Sequence, residues 1–340
     1  MMKLIPVRDA VGHVLCHDMT QIIPGQYKDA RFRKGHVVRE EDIPVLLRMG
    51  KEHLYVWEMT PGMVHEDDAA ARLCALCQGE HMVPSPVKEG KIQLTAAMDG
   101  FFRVDSRRLY EINLLGDVMI ATRHGGTAVR RGDALCGTRA IPLVIAEETL
   151  ARAEAIAGGR PLLELLPWKI RTAGIVTTGS EVAKGLVQDA FTPVVEAKLA
   201  ELGILVAAHR VAADGADRVA LAIAEVREAG VELVLCTGGM SVDPDDSTPA
   251  AIRRSGARVV SYGAPVLPGA MVLLGYFDDG VPVLGLPGCV MYARRTVFDL
   301  LLPALAAGVA VTREEIAALG EGGLCLGCGA CTYPNCGFGK

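Results

Sequence analysis

The sequence predicts an α/β protein: a three-layer, mostly parallel sheet in the second half of the chain, with a smaller β-rich region ahead of it. Three observations carry this. From residue 168 onward, short apolar runs alternate with stretches whose apolar residues recur at helical spacing. Strands joined through intervening helices pair parallel, because the helix returns the chain to the same end of the sheet. The run at 170–176 reads as a strand of the buried type, which calls for helices on both faces.

In chain order, residues 40–49 read as a helix: Ile43, Leu46 and Leu47 fall at i, i+3 and i+4, and Gly50 is a natural stop. A strand follows at 54–57, a short helix at 69–76, and 84–90 (PSPVKEG) reads as a linker. Short β-like runs at 91–95, 100–105, 118–122 and 134–138 are separated by Gly and Asp, and a helix at 147–157 leads out of them. Beyond 168, strands are expected at 170–176, 205–211, 233–236, 258–262 and 281–286. Helices are expected at 193–202, 217–229, 249–255 and 290–306. Val195, Leu199 and Leu202 share one face of the first of these helices, and Val219, Ile223 and Val226 one face of the second. The expected segments are 1–60 (α+β), 61–90 (helix and linker), 91–165 (β-rich domain), 166–312 (α/β domain) and 313–340 (cysteine-rich tail).

Composition narrows the function. The chain has 340 residues, 50% of them hydrophobic, which is ample for folded cores, and a net charge of −5 with no long basic run. Aromatic residues make up only 5%, so neither a phosphate-backbone binder nor a base-stacking surface is expected: no nucleic acid. The first residues lack a basic n-region and an apolar h-region, and no stretch of about 20 apolar residues occurs, so a cytoplasmic protein without a membrane span is expected.

Three turns follow expected strands and should meet at one edge of the sheet, where open α/β sheets bind ligands. The first is Thr178-Gly179-Ser180-Glu181, continuing to Asp189. The second is Thr237-Gly238-Gly239-Met240-Ser241, continuing to Asp246, Ser247, Thr248 and Pro249. The third is Pro287-Gly288-Cys289. Gly238 and Gly239 allow a sharp turn that presents backbone N–H groups to an anion, with Thr248 as N-cap and Pro249 as first helical residue of a short helix behind it. Asp246 would lie beside a bound phosphate; two anions repel unless a cation intervenes, which makes Asp246 a candidate Mg2+ ligand, or else a simple helix cap. Cys289, ahead of an expected helix, is either a thiol activated by the helix dipole or a small residue packed at the junction.

These motifs together resemble the molybdopterin-binding domain shared by MogA-type adenylyltransferases and MoeA-type molybdenum insertases. The family pattern T-T-G-G followed by D-x-T-P is met by CTGGMSVDPDDSTPAAI, with Asp246, Thr248 and Pro249 in the matching places. TTGSEVAKGLVQD supplies Gly179, Glu181 and Asp189, and LPGAMVLLGYFDDGVPVLGLPGCVMY matches through Gly288. Cys236 replaces the family's first threonine, and Cys289-Val290 replaces its Asn-Pro. Residues 34–56 also resemble an insertase segment. The resemblance implies a pterin–dithiolene ligand whose terminal phosphate rests on the glycine turns. It implies catalytic or metal-binding duty for Asp189 and Asp246, and at least a homodimer. A molybdopterin-binding protein of molybdenum-cofactor assembly or delivery is expected. If it is an enzyme, the chemistry is Mg2+-dependent nucleotidyl transfer from ATP to molybdopterin, or molybdenum insertion. The alternatives are a non-catalytic carrier or sensor, and a nucleotide pyrophosphate hydrolase.

The tail carries a separate signal. Cys325, Cys328, Cys331 and Cys336 are spaced as four thiolate ligands of a zinc ion or an iron–sulfur cluster, with an uncoordinated tail as the plain alternative. Cys74 and Cys77 read as packing, or as half of a site completed by His81 or His65.

Overall fold

The computed structural model describes residues 2–23, 25–57, 61–241 and 246–340. They group into two compact units: 1–97, 104–123 and 131–164 form the first, and 98–103, 124–130 and 165–340 the second. Segments expected to be separate, 1–60 and 61–90, thus share a unit with most of the β-rich region.

In the first unit, Met2–Pro6 pairs antiparallel with His53–Trp57, and Val7, Leu15, Leu46 and Leu54 form a small buried core. A four-stranded sheet runs in the order Met82–Pro84, Lys91–Ala96, Ala134–Ala140, Val118–Thr122. The helix Glu66–Cys77 buries Leu73, Cys74 and Cys77. Residues 84–90 are a hairpin connection rather than a linker: Ser85 N–H donates to Gln93 O and Lys88 pairs with Lys91. Glu66 is the first residue of that helix. It is buried beside Arg139 (3.6 Å), and burial pushes its carboxyl above the ordinary value. Cys74 and Cys77 lie in packing, and His65 is spent on Cys16 O (2.6 Å) and Lys34 (2.9 Å).

The second unit is the expected three-layer sheet. Its elements are β1 (Thr172–Thr178), α1 (Ser180–Ala183), α2 (Thr192–Ala200), β2 (Leu205–Ala212), α3 (Ala216–Glu228), β3 (Val234–Thr237), α4 (Thr248–Arg254), β4 (Arg258–Tyr262), β5 (Leu273–Tyr276), β6 (Pro282–Leu286), α5 (Val297–Ala306) and α6 (Arg313–Ala318). The strand order is β2-β1-β3-β6-β5-β4. The pairs β2·β1, β1·β3 and β3·β6 are parallel, and only β5, which sequence reasoning missed, runs against its neighbours. Its apolar run follows a turn rather than a helix, so alternation of strand and helix could not reveal it.

Strand residues divide by parity. Ile175, Leu235 and Leu284 pack with Val195, Leu199, Phe298 and Leu302 on one face. Val176, Val234, Cys236 and Val283 pack with Val219, Ile223, Val226 and Ile252 on the other. Each such side chain contributes roughly 1.5–3 kcal/mol on full burial. The helix expected over 290–306 begins only at Val297; Gly288–Met291 is a short 3-10 turn, and Thr296 caps the true helix by accepting from Phe298 N–H (3.2 Å). Among the described residues no helix is long and apolar enough to cross a membrane.

Candidate functional site

The three turns leave adjacent strands at one level. Thr177 is paired with Thr237, and Thr237 with Leu286, so the turns after β1, β3 and β6 share one rim. At its centre, Thr178 Oγ1 donates to Thr237 O (2.9 Å), and Thr248 Oγ1 donates to Gly238 O (2.9 Å). The two glycines are demanded by close approach as well as by conformation. Gly238 has φ +82, and a Cβ there would sit 2.5 Å from Thr178 O. Gly239 has φ +57, and a Cβ there would sit 2.6 Å from Thr248 Oγ1.

Thr248 is therefore the first residue of α4 rather than its cap. Ser247 holds the cap position without a capping bond, and its Oγ instead accepts from Gly215 N–H (3.0 Å). Among the described residues, the N–H groups of Gly238, Gly239 and Met240 donate to no acceptor. Thr237 Oγ1 is buried and has no hydrogen-bond partner among the described residues. Both features suit a polar ligand at the turn.

A fourth turn, after β2, was not read from the sequence. Asp214 Oδ2 accepts from Ser180 N–H (2.9 Å), and Asp214 N–H donates to Ser180 Oγ (3.3 Å). Hydrogen bonding from Ser180 holds the Asp214 carboxyl below its ordinary value. With the Gly215–Ser247 bond, this turn ties the first loop to the second. The signal was present as Asp-Gly between an apolar run and a helical one.

The two aspartates differ. Asp189 Oδ1 accepts from Phe191 N–H (2.9 Å) and Thr192 N–H (3.0 Å). Its Oδ2 accepts from Thr192 Oγ1 (2.6 Å) and Thr177 Oγ1 (3.0 Å), with His209 Nε2 at 3.8 Å. All four lone-pair directions of the carboxylate are thus occupied. Burial alone would raise this carboxyl, but the bonds from Thr192, Phe191 and Thr177 outweigh it and hold it below the ordinary value. Asp246 is only half-buried; its Oδ2 accepts from Ser241 N–H (2.6 Å), and nothing among the described residues bonds to Oδ1. Residues 242–245 of this loop lie outside the described residues.

Around this centre, Gly179 (φ +143) opens α1, Glu181 is exposed, and Met240 is buried with its sulfur over Gly285. Pro287 is buried and Gly288 exposed. Cys289 precedes no α-helix, and burial raises its thiol, which fits packing and not activation. Cys236 is fully enclosed, and burial pushes its thiol up to about 12. Arg254 pairs with Asp217, and Arg295 with Glu201 and Asp299. A separate cavity of about 1010 Å3 lies at the amino ends of the strands, lined by Ile170, Glu232, Arg258 and Pro282, and takes no part in this rim. Among the described residues no three His, Cys, Asp or Glu side chains are gathered so as to hold a metal ion.

An open α/β sheet whose strand-following turns gather at its carboxyl rim has the arrangement of a ligand-binding domain. Residues 174–307 match the family described as "Probable molybdopterin binding domain". Residues 4–58 match a "Domain of unknown function (DUF8806)". A CinA-like protein of Mycobacterium avium is 34% identical over 94 residues, 28% of this chain and 22% of that one. The molybdopterin molybdenumtransferase of Synechococcus elongatus is 28% identical over 197 residues, 54% of this chain and 46% of that one. The chain thus spans less than half the length of these curated relatives. Among solved structures, the molybdopterin biosynthesis enzyme MoaB of Thermus thermophilus is 24% identical, with a TM-score of 0.36 over 41% of this chain and 98% of that one.

Proposed function

We propose that the chain binds molybdopterin at this rim and acts in assembly or delivery of the molybdenum cofactor. The observation that supports it most is the glycine turn after β3: among the described residues, three backbone N–H groups find no acceptor and the buried Thr237 hydroxyl beside them finds no partner. An anionic phosphate accepts from such groups without a counter-charged side chain. In this reading Thr237, Gly238, Gly239, Met240 and Ser241 cradle the phosphate, with Ser247 and Thr248 holding the turn from behind. Thr178, Gly179, Ser180 and Glu181 form one wall, and Pro287 and Gly288 the other.

Asp246 fits a Mg2+ ion. It is a hard oxygen donor at the rim with Oδ1 uncommitted among the described residues, and Mg2+ is ordinarily held by one or two carboxylates together with substrate phosphates and water. When bound, the ion would neutralise charge between adjacent phosphates. Asp189 is a positioning residue in this reading, since metal ligation would cost it the bonds that start α2.

Equilibrium titration with molybdopterin tests the binding, and incubation with molybdopterin, ATP and Mg2+ tests the chemistry. Adenylylated pterin means a transferase, and binding without turnover a carrier. Cleavage of free pyrophosphate substrates means a hydrolase. Absence of molybdopterin binding at micromolar concentration would overturn the reading.

A further inference from the structure

We propose that Cys325, Cys328, Cys331 and Cys336 hold an iron–sulfur cluster. The tail beyond α6 contains no further helix, and its one β-bridge joins Leu324 to Leu267. Even so, it returns to the second unit at defined points. Cys325 N–H donates to Leu267 O (2.8 Å), Arg294 Nη1 to Gly329 O (2.8 Å) and Tyr333 Oη to Asp299 O (2.8 Å). Phe338 is buried, and its ring meets Tyr333 edge-on at 6.2 Å. These ties fold the tail beside a cavity of about 770 Å3, and all four cysteines are among the residues that line it.

Packing against the core accounts in part for Cys325 and Cys336 but not for Cys328 and Cys331. Cys16, Cys74, Cys77, Cys136 and Cys236 are buried, as unligated cysteines ordinarily are, whereas Cys328 and Cys331 are exposed and Cys325 and Cys336 half-buried. None is in a disulfide. The Cys325-x2-Cys328-x2-Cys331 run has the spacing by which ferredoxin-type chains hold iron–sulfur clusters, which favours a cluster over a single zinc ion. Arg294 lines the same cavity, and its positive charge suits the negative charge of four thiolates and a sulfide core. Arg294 follows the turn after β6 closely in sequence, so the cluster would be anchored to the segment that leaves the rim. The proposal does not depend on what the rim binds.

The test is anaerobic purification of the full chain, with iron, zinc and acid-labile sulfide analysis and a visible spectrum. The expected protein is brown, with iron and sulfide in roughly equal amounts and a broad visible charge-transfer band. Cys328→Ser and Cys331→Ser, chosen because both side chains are exposed, should each lose most of the iron and colour with unchanged circular dichroism and thermal midpoint. A colourless protein carrying zinc, a protein that takes up no iron even after incubation with ferrous ion and sulfide, or serine variants that keep the wild-type spectrum would each overturn the proposal.

Discussion

Thr178 donates its hydroxyl hydrogen to the Thr237 carbonyl across 2.9 Å, joining the last residue of β1 to the last residue of β3 where the glycine turn begins. The position of the turn therefore depends on a side chain 59 residues earlier in the chain.

Replacing that hydroxyl isosterically tests its weight. Thr178→Val removes the donor and leaves the Thr237 carbonyl short of one partner, which should cost about 1 kcal/mol in urea denaturation. Molybdopterin affinity should fall about tenfold, equivalent to about 1.4 kcal/mol. Unchanged affinity with reduced stability would separate the bond from ligand binding.

Gly239→Ala and Gly256→Ala separate crowding from backbone strain. Both positions have positive φ, +57 and +91, but a Cβ at Gly256 meets nothing within 4 Å, whereas one at Gly239 meets Thr248. Gly256→Ala should cost about 1 kcal/mol and leave binding intact. Gly239→Ala should cost roughly 1–3 kcal/mol more and abolish binding. Equal loss of binding in both would count against the rim.

Asp189 predicts a pH dependence. Its folded pKa lies below the unfolded value, so its contribution is present above the unfolded carboxylate range near ~3.9 and is lost as pH falls through the lower folded value. Stability measured by thermal melts should drop in that acid window. Asp189→Asn should be less stable at neutral pH by about 1–2 kcal/mol, because the cap of α2 is weakened, and should show a shallower acid decline. A variant with the wild-type acid profile would remove Asp189 as its source.

Asp246→Asn keeps the shape and hydrogen-bonding capacity of the side chain but removes its charge. Molybdopterin binding without Mg2+ should be retained within about threefold, while Mg2+-dependent turnover, if the chain is a transferase, should fall by at least about a hundredfold. Normal turnover by this variant would refute the cation assignment.

Much of the second unit was legible. Val195 with Leu199, and Val219 with Ile223 and Val226, follow one-faced spacing, and all are buried as that spacing demands. The glycine turns were legible because Gly-Gly after a buried strand has few structural uses. Other features were not. β5 is bracketed by turns, so its antiparallel course left no mark in the alternation of elements. The start of α5 was read seven residues early, because Val290 and the residues after it have helix-like composition but the chain forms a 3-10 turn there. The bonds that spend Asp189 come partly from Thr177, on a neighbouring element, and the Asp214–Ser180 pair joins turns 34 residues apart.

What the amino-acid order settled alone is whatever local physics controls: the period of apolar side chains, and the residues able to adopt positive φ. How many of each carboxylate's acceptor positions are taken up among the described residues was decided only in three dimensions. Hydrogen-bond partners come from strands adjacent in the sheet but distant in sequence, and a register set by burying two opposite faces places Thr177 beside Asp189, and Thr178 beside Thr237.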